Sequence, residues 1–136
     1  MATQLTNLQK SEIVIASILQ VLIETGIQWS GLKFDDLALD EEFRPFFDDC
    51  GQWLIDEGVI RCAEYVKPLD RGHSLLIRPV ITSKGFALLG QSFTGTDGNM
   101  KLSAAVTQVA KDQRNLSQIG DFFGGLLGGF TKSIGS

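Results

Sequence analysis

Gly58 breaks the run Trp53-Leu54-Ile55-Asp56-Glu57-Gly58-Val59-Ile60 where helical spacing gives way to a β-branched stretch. Further along, Ile81-Thr82-Ser83-Lys84-Gly85-Phe86-Ala87-Leu88-Leu89 has the reverse order, a strand leading into a helix that Thr82 can cap. Helix, glycine, strand, then strand, cap, helix leaves room between them only for a hairpin. Its strands are expected at 59–66 and 74–81, joined by Lys67-Pro68-Leu69-Asp70-Arg71-Gly72-His73, in which proline and glycine supply turn geometry. Pro79 has no N–H for a ladder, which places it at an edge or a bulge.

Upstream, Thr6-Asn7-Leu8-Gln9 has capping-box spacing and Gly26 can take the left-handed conformation that stops a helix, so a first helix is predicted over 8–25. Ile13, Val14, Ile18, Val21 and Leu22 recur on one side of it, with Ile15, Leu19 and Ile23 widening that side into a core-facing surface. A short second helix is expected over 35–43, starting at an Asp cap. A third is expected over 45–57, with Pro45 as its first residue. On the third helix Phe46, Cys50, Trp53, Leu54 and Glu57 share one side, and Asp48, Asp49, Gln52 and Asp56 the other. Residues 91–101, rich in glycine and hydroxyls, read as a linker, followed by a helix over 101–118 with Leu102, Val106, Val109 and Leu116 near heptad positions.

The order of three helices and a two-stranded hairpin over residues 8–90 resembles the winged-helix superfamily. The expected architecture is therefore α+β: a winged-helix-like three-helix domain (1–90) with a hairpin wing, a linker (91–101) and a C-terminal helical extension with a glycine-rich tail (102–136). Members of that superfamily bind DNA, RNA or proteins, so the resemblance implies binding without choosing the ligand. In the DNA-binding members the third helix enters the major groove, where basic side chains meet phosphate and Arg, Asn, Gln or Ser read base edges.

Charge argues against that use of the third helix. The chain carries 12 Lys and Arg against 16 Asp and Glu, a net charge of -4, and residues 1–66 alone hold twelve acids against four bases. Asp48, Asp49 and Asp56 would face the phosphates, leaving Gln52 and Arg44 as the only plausible readers. The hairpin has the opposite sign, with Lys67, Arg71 and Arg78 beside His73, and these four are the candidate phosphate contacts of a DNA-binding alternative: a transcriptional regulator touching DNA mainly through its wing, with the helix at 101–118 as dimer interface.

No catalytic, cofactor or metal site is expected. The two cysteines, Cys50 and Cys62, lack CxxC spacing and have one histidine to join them, too few for a four-ligand zinc site. Nucleophilic catalysis needs an oriented base, and His73 falls in the turn. The paired acids Asp35-Asp36, Glu41-Glu42 and Asp48-Asp49 are sequence neighbours that point roughly 100° apart on a helix, not into one site. Gly124-Gly125-Leu126-Leu127-Gly128-Gly129 lacks both the preceding strand and the correctly spaced Lys-Ser/Thr of a phosphate loop.

The tail is the stronger functional candidate. Ile119, Phe122, Phe123, Leu126, Leu127, Phe130 and Ile134 recur at spacings of three and four, against rows of glycine. Five glycines within 120–129 each cost an isolated helix about 1 kcal/mol relative to alanine, so a folded tail needs a surface to pack on. The expectation is a non-enzymatic interaction or adaptor protein whose residues Ile119, Phe122, Phe123, Leu126, Leu127 and Phe130 dock on a protein partner or on a second copy, giving a homo-oligomer. A weaker alternative anchors the tail in a membrane interface, although Asp121 and Lys132 are the only charges on its polar side. The N-terminus lacks the features of a secretory signal and Ile13–Ile23 is too short to span a bilayer, so a soluble cytoplasmic protein is expected.

Overall fold

Thr6 and Gln9 start the first helix as their spacing predicts. In the computed structural model, which describes residues 5–27, 31–66, 75–95 and 98–112, the Gln9 amide donates to Thr6 Oγ1 (3.1 Å) and the Thr6 amide to Gln9 Oε1 (2.9 Å). Helix α1 (Asn7–Thr25) ends at Gly26, whose φ of +72° is readily reached only without a Cβ. Its residues Ile13 to Leu19 are buried without a break, so α1 forms the axis of the core.

A two-residue strand, β1 (Gly31–Leu32), follows. The second helix expected over 35–43 is instead a pair of 3₁₀ turns, Phe34–Leu37 and Glu41–Phe46, separated by Ala38 in the left-handed region (φ +57°). Asp35 is not the cap; Asp36 reaches back to the Lys33 amide (3.0 Å). Pro45 lies inside the second turn and does not open the third helix. Its ring would clash with the carbonyl four residues earlier in an α-helix, so the chain passes through 3₁₀ geometry before α2 (Phe47–Asp56) begins. The buried side of α2 is correspondingly rotated: Phe47, Cys50, Gly51 and Leu54 are buried, while Phe46 and Trp53 are only partly covered.

The hairpin consists of β2 (Ile60–Arg61) and β3 (Glu64–Val66) on one arm and β4 (Leu75–Ile77) and β5 (Val80–Ile81) on the other. Both ladders share one register: from Ile60↔Ile81 to Val66↔Leu75, every step forward on one arm is a step back on the other. The interruption falls at Cys62–Ala63 opposite Arg78–Pro79, where proline has no N–H to give and Arg78 takes a φ of +53°. Strand β1 adds to the far side of β4, giving an antiparallel sheet in the order β1-β4-β3 with Leu32 and Tyr65 flanking Leu76.

Helix α3 (Ser83–Leu89) starts at Thr82, whose hydroxyl accepts from the Gly85 amide (3.0 Å). The segment expected as a linker is a second hairpin, β6 (Ser92–Gly95) and β7 (Gly98–Lys101), in register through Gly95↔Gly98. It leads directly into α4 (Leu102–Asp112), whose Leu102, Ala105, Val106 and Val109 are fully buried and belong to the same core as α1. The expected C-terminal extension is thus, over 102–112, a structural helix of the main fold. The protein is α+β, with four α-helices and small antiparallel sheets among the described residues.

Candidate functional site

The exposed side of α2 and the hairpin beside it are where a groove-reading helix and its flanking basic loop would be found. Arg44, in the turn preceding α2, donates through Nε to Glu41 Oε2 (2.7 Å) and through Nη2 to Glu41 Oε1 (2.9 Å) and Asp35 Oδ1 (2.6 Å). Its guanidinium also sits 4.7 Å from the centroid of the Phe34 ring, which packs edge-on against Phe47. Bonds to Glu41 and then Asp35 push its pKa above the ordinary arginine value. Bracing the two 3₁₀ turns occupies the same planar fork that a base edge or phosphate would need. Gln52, the other candidate reader, donates to Asp56 Oδ1 (2.9 Å).

The carboxylates of α2 divide by position. Asp48 and Asp49 lie in the first turn, where the helix dipole favours them. Asp49 and Asp56 are exposed, and the last turn carries no basic residue. Lys84 supplies the missing charge from α3, its Nζ donating to the Glu57 carbonyl at 2.7 Å. The Tyr65 hydroxyl donates to the Asp48 carbonyl (2.9 Å), and a Cβ on Gly51 would lie 3.4 Å from the Tyr65 ring, so the glycine lets the hairpin lie flat on α2. Neither Tyr65 nor Lys84 stands out in the sequence as a tether, because each reaches across a long chain separation to a main-chain carbonyl.

Of the candidate phosphate contacts, Arg78 is exposed at the interruption of the hairpin; Lys67, Arg71 and His73 lie outside the described residues. So do the tail positions Ile119, Phe122, Phe123, Leu126, Leu127 and Phe130. The described heptad-like positions Leu102, Val106 and Val109 are spent on α1 and cannot form a dimer seam.

Cys50 and Cys62 are free thiols. Burial pushes Cys50 up to about 11, against a weaker opposing hydrogen bond from its Sγ to the Ser11 carbonyl, and also raises Cys62. Neither is the depressed thiol of a nucleophile. Among the described residues no group of three or more His, Cys, Asp or Glu could hold a metal ion, and no helix is long and apolar enough to cross a membrane. No protein-family model, curated protein or solved structure matches the chain.

Proposed function

We propose that this protein is a non-enzymatic interaction module of winged-helix type, cytoplasmic, which uses an acidic helix surface and an apolar glycine-rich tail to bind a protein partner or a second copy of itself. The element order α1, β1, 3₁₀ turns, α2 and hairpin, with β1 paired to the hairpin, supports the superfamily resemblance. The observation that carries the functional reading is the state of the two candidate readers on and beside α2: Arg44 is held by Asp35 and Glu41, and Gln52 by Asp56. What α2 leaves to solvent is carboxylate, which repels a phosphate backbone and suits a basic or polar protein surface.

Fluorescence anisotropy of a mixed-sequence DNA duplex, titrated with the intact protein from low salt upward, tests this reading. The expected result is no binding even at low ionic strength. Tight binding that falls steeply with salt and weakens when Lys67, Arg71 and Arg78 are neutralised favours the wing-directed DNA regulator instead. Deleting residues 119–136 should lower the solution mass or abolish a partner interaction; an unchanged mass and interaction profile counts against the tail. Flotation with liposomes would reveal a membrane anchor.

A further inference from the structure

Helix α1 packs against both α4, whose Thr107 hydroxyl donates to Gln20 Oε1 at 2.6 Å, and α2. Two contacts fix its course along α2. Ile13 and Phe43 border a common cleft, and Cys50 Sγ donates to the Ser11 carbonyl at 3.5 Å. Ile13 follows Ser11 whereas Phe43 precedes Cys50, so the two helices pass in opposite senses. Leu8, one turn before Ser11, therefore lies beside the turn of α2 that follows Cys50 and carries Trp53. Leu8 is 69 % exposed, and Phe46 and Trp53 are only partly covered. Next to them Asp49 and Asp56 are exposed. Phe46 and Trp53 are seven residues apart, as are Asp49 and Asp56, so an apolar and an acidic row run side by side over about 10 Å. Tyr65 and the hairpin cover Asp48 and Gly51, on the opposite side of α2.

We propose that this seam docks a basic amphipathic helix of a partner protein, its apolar side chains on Leu8, Phe46 and Trp53 and its lysines or arginines on Asp49 and Asp56. The inference rests on the reading of α2 as a protein-binding surface, and adds the place and the chemistry of the partner. The apolar row alone would accept any nonpolar surface; the acidic row beside it decides the charge. Arg44 is the one base between Glu41 and Glu57, and it is held by Asp35 and Glu41, so its segment offers nothing to offset Asp49 and Asp56. A second copy would bring the same carboxylates face to face, and a phosphate backbone would be repelled by them. A helix with apolar residues every three or four positions and Lys or Arg beside them meets both rows in one register, as core and flanking positions do in a coiled coil.

The test titrates the full chain with a synthetic helical peptide of leucine and lysine, leucines at spacings of three and four, followed by NMR. The expected result is saturable binding that shifts the resonances of Leu8 and Trp53. Leu8→Lys, at an exposed position that the fold does not depend on, and Asp49→Lys/Asp56→Lys should each weaken it about tenfold. Asp40→Lys/Glu64→Lys makes the same charge change elsewhere and should leave the affinity within about twofold. No binding, shifts confined to other surfaces, or equal weakening by the Asp40 and Glu64 pair each overturn the proposal. So does equal binding of a peptide whose leucines are replaced by serine, or whose lysines are replaced by glutamate. A DNA duplex titrated in parallel separates the two readings. Duplex binding overturns α2 as a protein-binding surface and the seam with it, whereas a silent duplex beside a silent peptide sinks only the seam.

Discussion

Lys84 Nζ donates to the Glu57 carbonyl at 2.7 Å, so α3 closes the C-terminus of α2 across the base of the hairpin. A cation placed against the last carbonyls of a helix stabilises them both by hydrogen bonding and by opposing the dipole. Lys84→Met keeps most of the stem packed over Gly58 and removes only the charge and donor. It should cost about 1 kcal/mol, read from urea unfolding.

Two glycines in the same corner should respond very differently to alanine. At Gly85 an added Cβ would lie 2.3 Å from the Val59 carbonyl oxygen and 2.7 Å from Ile81 Cγ2, so strand and helix would have to separate. At Gly58 the obstacle is the φ of +77°, with only the flexible Lys84 side chain nearby at 3.6 Å. Gly58→Ala should cost about 1–2 kcal/mol through left-handed strain. Gly85→Ala should cost more, about 3 kcal/mol or above, or prevent folding. Thermal unfolding of the two variants side by side checks the order.

Ser17 places a buried hydroxyl in the apolar face of α1, and its Oγ has no hydrogen-bond partner among the described residues. Ser17→Ala removes that polar atom and raises helix propensity, so it should stabilise the protein by about 1 kcal/mol. A midpoint of denaturation that stays put or falls would show that the hydroxyl has a role.

Cys50 titrates at about 11 in the fold, above the value of 9.0 for a free thiol, because burial disfavours its thiolate. A raised pKa means that the folded state holds the proton longer than the unfolded chain does. The corresponding stability is complete below pH 9 and is lost as pH rises from 9 towards 11. Unfolding measured at pH 7, 9 and 10.5 should show a decline in the wild type that is shallower in Cys50→Ala.

Asp49 and Asp56 are the exposed carboxylates of α2. If charge is what keeps this helix off DNA, Asp49→Lys/Asp56→Lys should create salt-sensitive duplex binding. Each phosphate engaged then adds about 0.9 to the steepness of log K against log salt. A double variant that folds and still ignores DNA would place the obstacle in shape.

Local chemistry was readable where a few adjacent residues decide it. Thr6 with Gln9, Gly26, Thr82 and the turn-flanked strands of the first hairpin all lie where their spacing puts them, because caps and turns are short-range devices. The misread segments involve competition. Asp35 has the look of a cap, but left-handed Ala38 divides the region into two 3₁₀ turns and Pro45 keeps the second from becoming the start of an α-helix. Gly95 and Gly98 have linker composition, yet they pair with each other at the end of the β6–β7 ladder, a pairing that no alternating apolar pattern announces. The pairing of α4 with α1 and the capture of Arg44 by Asp35 depend on tertiary neighbours that periodicity does not reveal.

The bond from Thr107 to Gln20 joins residues 87 positions apart. During synthesis at about 5–20 residues per second, the apolar side of α1 therefore emerges several seconds before the helix that covers it has been made. A ribosome-bound chain must carry the part of that surface which α4 covers until residues Leu102–Asp112 have been made. Slow codons, crowding or an early stop before Leu102 would prolong this exposure, so a nascent-chain chaperone is expected to meet this protein first along Ile13 to Leu22.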